Sequence, residues 1–185
     1  MFSIIQQVEY LFHLHPVPKL KKKIRCIGTN PRILFPCGFF DGVAAENFGG
    51  ARFMMLLSDS HTLGFSLGCG RSTNTRAELL ALWALLAVSK HLGIPLLTIF
   101  GNSLFIVNWA NMTASLDSPS LSHWCKDIRS LMLNFSPLTL KHIYHEHNQQ
   151  ADCLSKKALV LDLGFGIFTE YMDGMIIDRG NFQLF

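Results

Sequence analysis

The chain has 185 residues, of which 49% are apolar, 16% charged and 15 are Phe; this suits one packed domain with its own core and excludes a disordered chain. A formal charge of +3 is mildly basic, compatible with a polyanionic partner without requiring one. Five scattered cysteines without CxxC spacing argue against a disulfide framework or zinc ribbon and point to a reducing intracellular setting, nucleus or cytoplasm, and no run reaches the roughly 20 apolar residues that cross a bilayer.

Residues 1 to 14 carry Ile4, Ile5, Val8, Leu11 and Phe12 near helical spacing, with Gln6, Gln7 and Glu9 interrupting them, so a short amphipathic helix is expected and a secretory signal is not. Pro16 to Arg25, with Lys21, Lys22 and Lys23, reads as a basic arm, and residues 1 to 35 are assigned to an N-terminal extension. Strands are expected at 39–44, 50–57 and 63–69, separated by short polar links, which makes an antiparallel meander. Ser72 to Gly93 follows, rich in Ala and Leu, bounded by capping residues and by Gly93 and Pro95. From Ala77 to Val88 only Glu78 is not apolar, so a helix over 75–91 is covered on most sides.

Pro95 to Phe100 has the form of a buried strand, and a helix runs from Leu104 to Asn111. After Ser118-Pro119-Ser120, Trp124, Ile128, Leu131 and Phe135 repeat at helical spacing over 121–135. Residues 138–144 alternate as a strand, 145–150 form a polar loop, and 151–161 form the last helix. Strands connected through helices imply an α/β fold with a mixed sheet covered by helices; residues 36–161 are one domain and 162–185 a C-terminal tail.

Asp41 lies in the first strand, Glu78 in the expected first turn of the long helix, and Asp152 in the first turn of the last helix. Glu78 has an ordinary explanation, a capping box with Thr75 three residues ahead; the alternative is a cation site built with the other acids. Convergent carboxylates need cations, and Mg²⁺, or Mn²⁺ in its place, is the expected partner for hard oxygen ligands. Asn102 has its own ordinary role as an N-cap where a helix begins. His142, His145, His147 and Cys153 match no closed zinc site.

Asp41-Gly42, Ser72-Thr-Asn-Thr-Arg-Ala-Glu-Leu79, Gly101-Asn102-Ser103 with Val107-Asn-Trp109, and His147-Asn-Gln-Gln-Ala-Asp152, in this order, resemble type 1 ribonuclease H, most closely the domain of plant non-LTR retroelements and their relatives. Phe168 to Gly174 also looks like a retroelement ending. The resemblance implies an RNase H-like three-layer fold with a five-stranded sheet, three antiparallel strands then two parallel. It implies a two-metal site that cuts the RNA strand of an RNA/DNA hybrid. Asp41, Glu78 and Asp152 match its first, second and fourth acids, and the third falls on Asn102, where the family has Asp.

An amide offers one carbonyl oxygen but no charge, and its NH₂ is a donor, so reduced or absent turnover with retained hybrid binding is expected. Natural decay into an inactive nucleic-acid-binding module and an engineered substrate trap both fit an Asp-to-Asn exchange. By the same resemblance Asn74, Thr75, Arg76 and Ser103 line the nucleic-acid side, where polar groups can read a sugar hydroxyl. His145, standing where the plant-type motif has Arg, is taken as the histidine that assists catalysis, with His142 and His147 as alternatives. An integrase pattern would end in Glu on the last helix, where this chain has Asp152, and a proofreading exonuclease would show Asp-x-Glu in the first strand, which Asp41-Gly42-Val43 lacks.

Overall fold

The computed structural model describes residues 34–46, 48–145 and 158–184. Strands β1 (Cys37–Ala45), β2 (Phe48–Leu56) and β3 (His61–Arg71) form the expected meander, followed by α1 (Asn74–His91) and β4 (Leu97–Gly101). Next come α2 (Leu104–Ala110), a 3-10 turn (Pro119–Leu121), α3 (Ser122–Met132) and β5 (Leu138–His142), with β4 parallel to β1 and β5 parallel to β4. The expected third helix over 121–135 is therefore shorter. Leu121 closes the 3-10 turn instead, and Phe135 is buried beyond the helix end.

The sheet has seven strands in the order β5-β4-β1-β2-β3-β6-β7, not five. The two extra strands, β6 (Phe165–Met172) and β7 (Met175–Gln183), come from the segment read as tail. β6 pairs antiparallel with β3, and β7 with β6. Two features hold this hairpin on the domain. Its turn is Asp173-Gly174, both at positive φ (50° and 75°), as a tight hairpin requires. Its Phe182 ring stacks on Phe65 at 5.0 Å, which itself stacks on Phe53 at 4.7 Å, so one aromatic row continues the core outward. The His61 and Glu170 side chains meet at 2.5 Å where β3 begins.

Helix α1 lies against β1 and β2. Ala77, Leu79, Leu80, Ala81, Leu82, Leu85 and Leu86 are buried, and Ser89 settles its buried hydroxyl on the Leu85 carbonyl at 2.7 Å. Even-numbered β1 residues face this helix: a side chain at Gly38 would meet Leu85, and one at Gly42 the α1 backbone. Strand alternation sends Asp41 to the opposite face, which is covered where Ala158 passes over Gly50 and Leu161–Asp162 over Gly68. The expected last helix falls mostly on residues 151–157, outside the described residues, as do the N-terminal helix and basic arm.

Helix α2 is short and its C-terminal carbonyls need partners. Arg129 of α3 supplies them, donating to Ala110 O at 2.7 Å and Trp109 O at 2.5 Å while its guanidinium lies 4.5 Å from the Trp109 ring centre. Arg129→Ala is expected to cost about 2–3 kcal/mol in urea denaturation, from two charge-assisted bonds and one cation–π contact. Arg129→Lys recovers less than half, because an ammonium cannot fork onto two carbonyls.

Candidate active site at the ends of β1 and β4

Parallel pairing brings the first pair of residues together. Phe40 is the register partner of Gly101, so the residues that follow them, Asp41 in the middle of β1 and Asn102 just past the end of β4, stand side by side where the β1–β4 pairing stops. Such strand ends are where open α/β sheets place ligand sites. Asp41 is 5% exposed.

Glu78 reaches the same place from α1. The helix begins at Asn74 with Thr73 as N-cap, its hydroxyl accepting from Arg76 N at 3.3 Å. Glu78 is thus in the second turn, not the first, and Thr75 is not its capping partner; the cap lies two residues earlier than expected because Thr73 takes the extended backbone. Burial raises the Glu78 pKa well above its ordinary 4.5, the Asp41 charge raises it further, and the Gly42 backbone amide offsets part of the rise. Its Oε2 is buried without a hydrogen-bond partner.

This carboxyl holds its proton more tightly folded than unfolded. Its contribution to stability is therefore greatest below about pH 4.5 and falls as pH rises toward the raised value. Above the raised value the ionised group weighs against folding. Glu78→Gln is expected to raise the melting temperature in chelator-treated buffer at pH 7 and to flatten the decline above pH 4.5. Thermal melts from pH 4 to 8 check this, and an unchanged slope refutes it.

Asn102 carries the other orphaned oxygen: Oδ1 is buried without a hydrogen-bond partner. Its Nδ2 lies 3.3 Å from His145 Nδ1, and its main-chain carbonyl 3.2 Å from His142 Nε2. Both histidines thus converge on residue 102, His145 through the side chain and His142 through the backbone. Asn102 is not the cap of α2; Ser103 is, without a side-chain cap bond. Asn74 accepts from Ala44 N at 2.7 Å, tying the start of α1 to the end of β1 and leaving its NH₂ for other partners. Arg76 donates to Arg71 O at 2.7 Å. Thr75 and Ser103 are half-buried.

The structure therefore brings Asp41, Glu78, Asn102 and His145 to one end of the sheet, with Asn74, Thr75, Arg76 and Ser103 on the flanking helix starts. Asp152 and His147 lie outside the described residues. Among the described residues no group of three or more His, Cys, Asp and Glu could hold a metal ion. The donors that do converge are two buried carboxylates and an amide oxygen, hard ligands that suit Mg²⁺, and the two oxygens lacking protein partners fit a cation. Arg52 is a buried charge that sequence reasoning missed: it is fully buried on β2 directly opposite Asp41. Its only signal in the chain is one cation inside the otherwise uncharged run 48–57.

Comparison with known proteins agrees with this architecture. An RNase H1 from the halophilic archaeon Halobacterium salinarum NRC-1 superposes with a TM-score of 0.62 at 24% identity, covering 67% of this chain and 96% of that one. LC11-RNase H1, solved in complex with an RNA/DNA hybrid, gives 0.61 at 26% identity over 66% and 95%. The foamy viral protease-reverse transcriptase, also solved with an RNA/DNA hybrid, gives 0.55 at 16% identity, covering 78% of this chain and 23% of that one. No curated protein matches. The family described as reverse transcriptase-like matches residues 39–158, and the chain belongs to that family, built on the type 1 RNase H fold.

Proposed function

We propose that this domain binds RNA/DNA hybrid and carries RNase H-type phosphodiester hydrolysis weakened at Asn102. The observation that carries the reading is the closeness of Asp41 to Glu78 and to Asn102 where the β1–β4 pairing stops, in a fold shared with a hybrid-bound RNase H1. Asp41, Glu78 and the Asn102 carbonyl would hold Mg²⁺ or Mn²⁺, with Asp152 as a further ligand. Bound there, the metal would supply an activated water and stabilise the leaving oxygen. The protein's own part is electrostatic: two buried carboxyl groups stand close enough for the Asp41 charge to be felt at Glu78, an arrangement that a cation between them would relieve. Asn102 contributes no charge, and its NH₂ is directed at His145. His145 would thereby stand beside residue 102, in reach to exchange a proton near the scissile group. The NH₂ of Asn74 and the hydroxyls of Thr75 and Ser103 would meet the sugar–phosphate backbone.

A silent hybrid-binding module is the second reading, and Asn102 is what favours it. Fluorescence anisotropy with labelled hybrid should show binding at low salt that weakens steeply as salt rises, since phosphate contacts release counterions. Gel assays with Mg²⁺ or Mn²⁺ should show slow cleavage of the RNA strand. Binding without cleavage would favour the silent module, and no binding at low salt would leave a structural or protein-interaction domain.

A further inference from the structure

Among the described residues the buried charged groups are two acids, Asp41 and Glu78, and one cation, Arg52. Arg52 has no exposed surface. A guanidinium does not lose its proton in a protein, so a buried arginine is a buried positive charge. Such a charge is kept only beside an opposite one.

The register identifies the opposite charge. Asp41 and Arg52 are direct partners across the antiparallel β1–β2 pair, and residues so paired project to the same face with Cβ atoms about 5 Å apart. On its other side Arg52 is opposite Ser66, which is neutral. Above it, Gly50 on the same face lies under Ala158, so the chain at 158–162 closes the face from solvent; the one acid there, Asp162, is exposed. Glu78, by contrast, is influenced by the Asp41 charge and the Gly42 amide.

We propose that Arg52 is a resident counter-cation for Asp41: its guanidinium neutralises that carboxylate in the metal-free protein and competes with a divalent cation for it. The inference rests on the proposed reading only in taking Asp41 and Glu78 as parts of one site. Arg52 acts through Asp41 and is a positioning residue. Its effect is to let the site fold with Asp41 ionised and no metal, and to raise the metal concentration needed to fill it.

The two acids should then respond oppositely when each is neutralised without metal. In chelator-treated buffer Glu78→Gln raises the melting temperature, as argued above, whereas Asp41→Asn lowers it by roughly 10 °C, because it strands a buried guanidinium. Arg52→Met added to Asp41→Asn recovers most of that loss. In Mg²⁺ titrations followed by thermal shift, Arg52→Met needs roughly tenfold less Mg²⁺ for its half-maximal effect than the unmodified chain, and Arg52→Lys does not. Should Asp41→Asn melt at or above the unmodified chain, or Arg52→Met leave the Mg²⁺ requirement unchanged, the pairing is refuted. If Arg52→Met does not fold, the Asp41→Asn melt decides the matter alone. None of these measurements uses nucleic acid, so a failure of hybrid binding would remove the proposed function and leave this result standing.

Discussion

Asn102→Asp is expected to raise Mg²⁺-dependent cleavage of an RNA/DNA hybrid by about 10²-fold or more, the scale on which one misplaced or missing electrostatic group at a reacting centre is felt. The position is favourable for the change. Residue 102 follows Gly101, the register partner of Phe40, so a carboxylate there stands beside Asp41. Its Oδ1 is already buried and without a hydrogen-bond partner, so that oxygen, now part of a charged carboxylate, needs no rearrangement to meet a cation. The exchange also removes the NH₂ that lies 3.3 Å from His145 Nδ1. A carboxylate there accepts instead of donating, so the contact with His145 needs the ring nitrogen as donor.

The gain carries a stability cost that serves as an internal control. A third acid beside Asp41 and Glu78 adds like-charge repulsion, so the variant should melt below the unmodified chain with chelator and gain more from Mg²⁺. Parallel cleavage gels and melts with and without Mg²⁺ read both effects. A larger Mg²⁺ stabilisation without cleavage would mean that the site binds metal but does not position the phosphodiester. No change in either would remove residue 102 from the site.

Gly42→Ala should have the largest effect on stability, more than about 3 kcal/mol, beyond the usual range for overpacking. A Cβ at Gly42 would stand 2.1 Å from Glu78 N, 2.3 Å from Ala77 C and 2.6 Å from Glu78 Cα. These are backbone atoms of α1 and cannot move aside by changing rotamer, so the helix must lift from β1. Gly38, on the same face, is a useful contrast: a Cβ there would meet the Leu85 methyls at 2.7 Å, the ends of a flexible side chain. Gly38→Ala should cost less than half as much in urea denaturation. Since α1 carries Glu78 and the Gly42 amide steadies it, Gly42→Ala also separates the two acids. Chelator-treated and Mg²⁺-containing melts should coincide for that variant; a persistent Mg²⁺ shift would show that the site survives without this close approach.

Much of this architecture is legible along the chain. The meander, α1, β4, α2, α3 and β5 appear where periodicity and breakers put them, because each is marked by contiguous residues: Gly93 and Pro95 after α1, Pro119 before α3, alternation in β5. The C-terminal hairpin was legible too. Asp173-Gly174 between two runs of strand formers is a hairpin signature, and treating it as a tail missed two strands. The cap of α1 was misplaced because Ser72, Thr73, Asn74 and Thr75 are all competent caps, and composition cannot choose among them.

The amino-acid order by itself determined the meander, α1, β4, α2, α3 and β5, and placed Asp41 in the first strand, Glu78 early in the long helix and Asn102 between a strand and a helix, because propensity and capping act over a few neighbouring residues. Only the tertiary structure decided that β1 and β4 set Asp41 beside Asn102, that His145 comes within 3.3 Å of that amide, and that Arg52 is buried opposite Asp41. These are contacts between residues 11 to 61 positions apart in the chain, set by strand register and by the close approach of a helix to a glycine, and charge and burial have meaning only once the surrounding protein has displaced water.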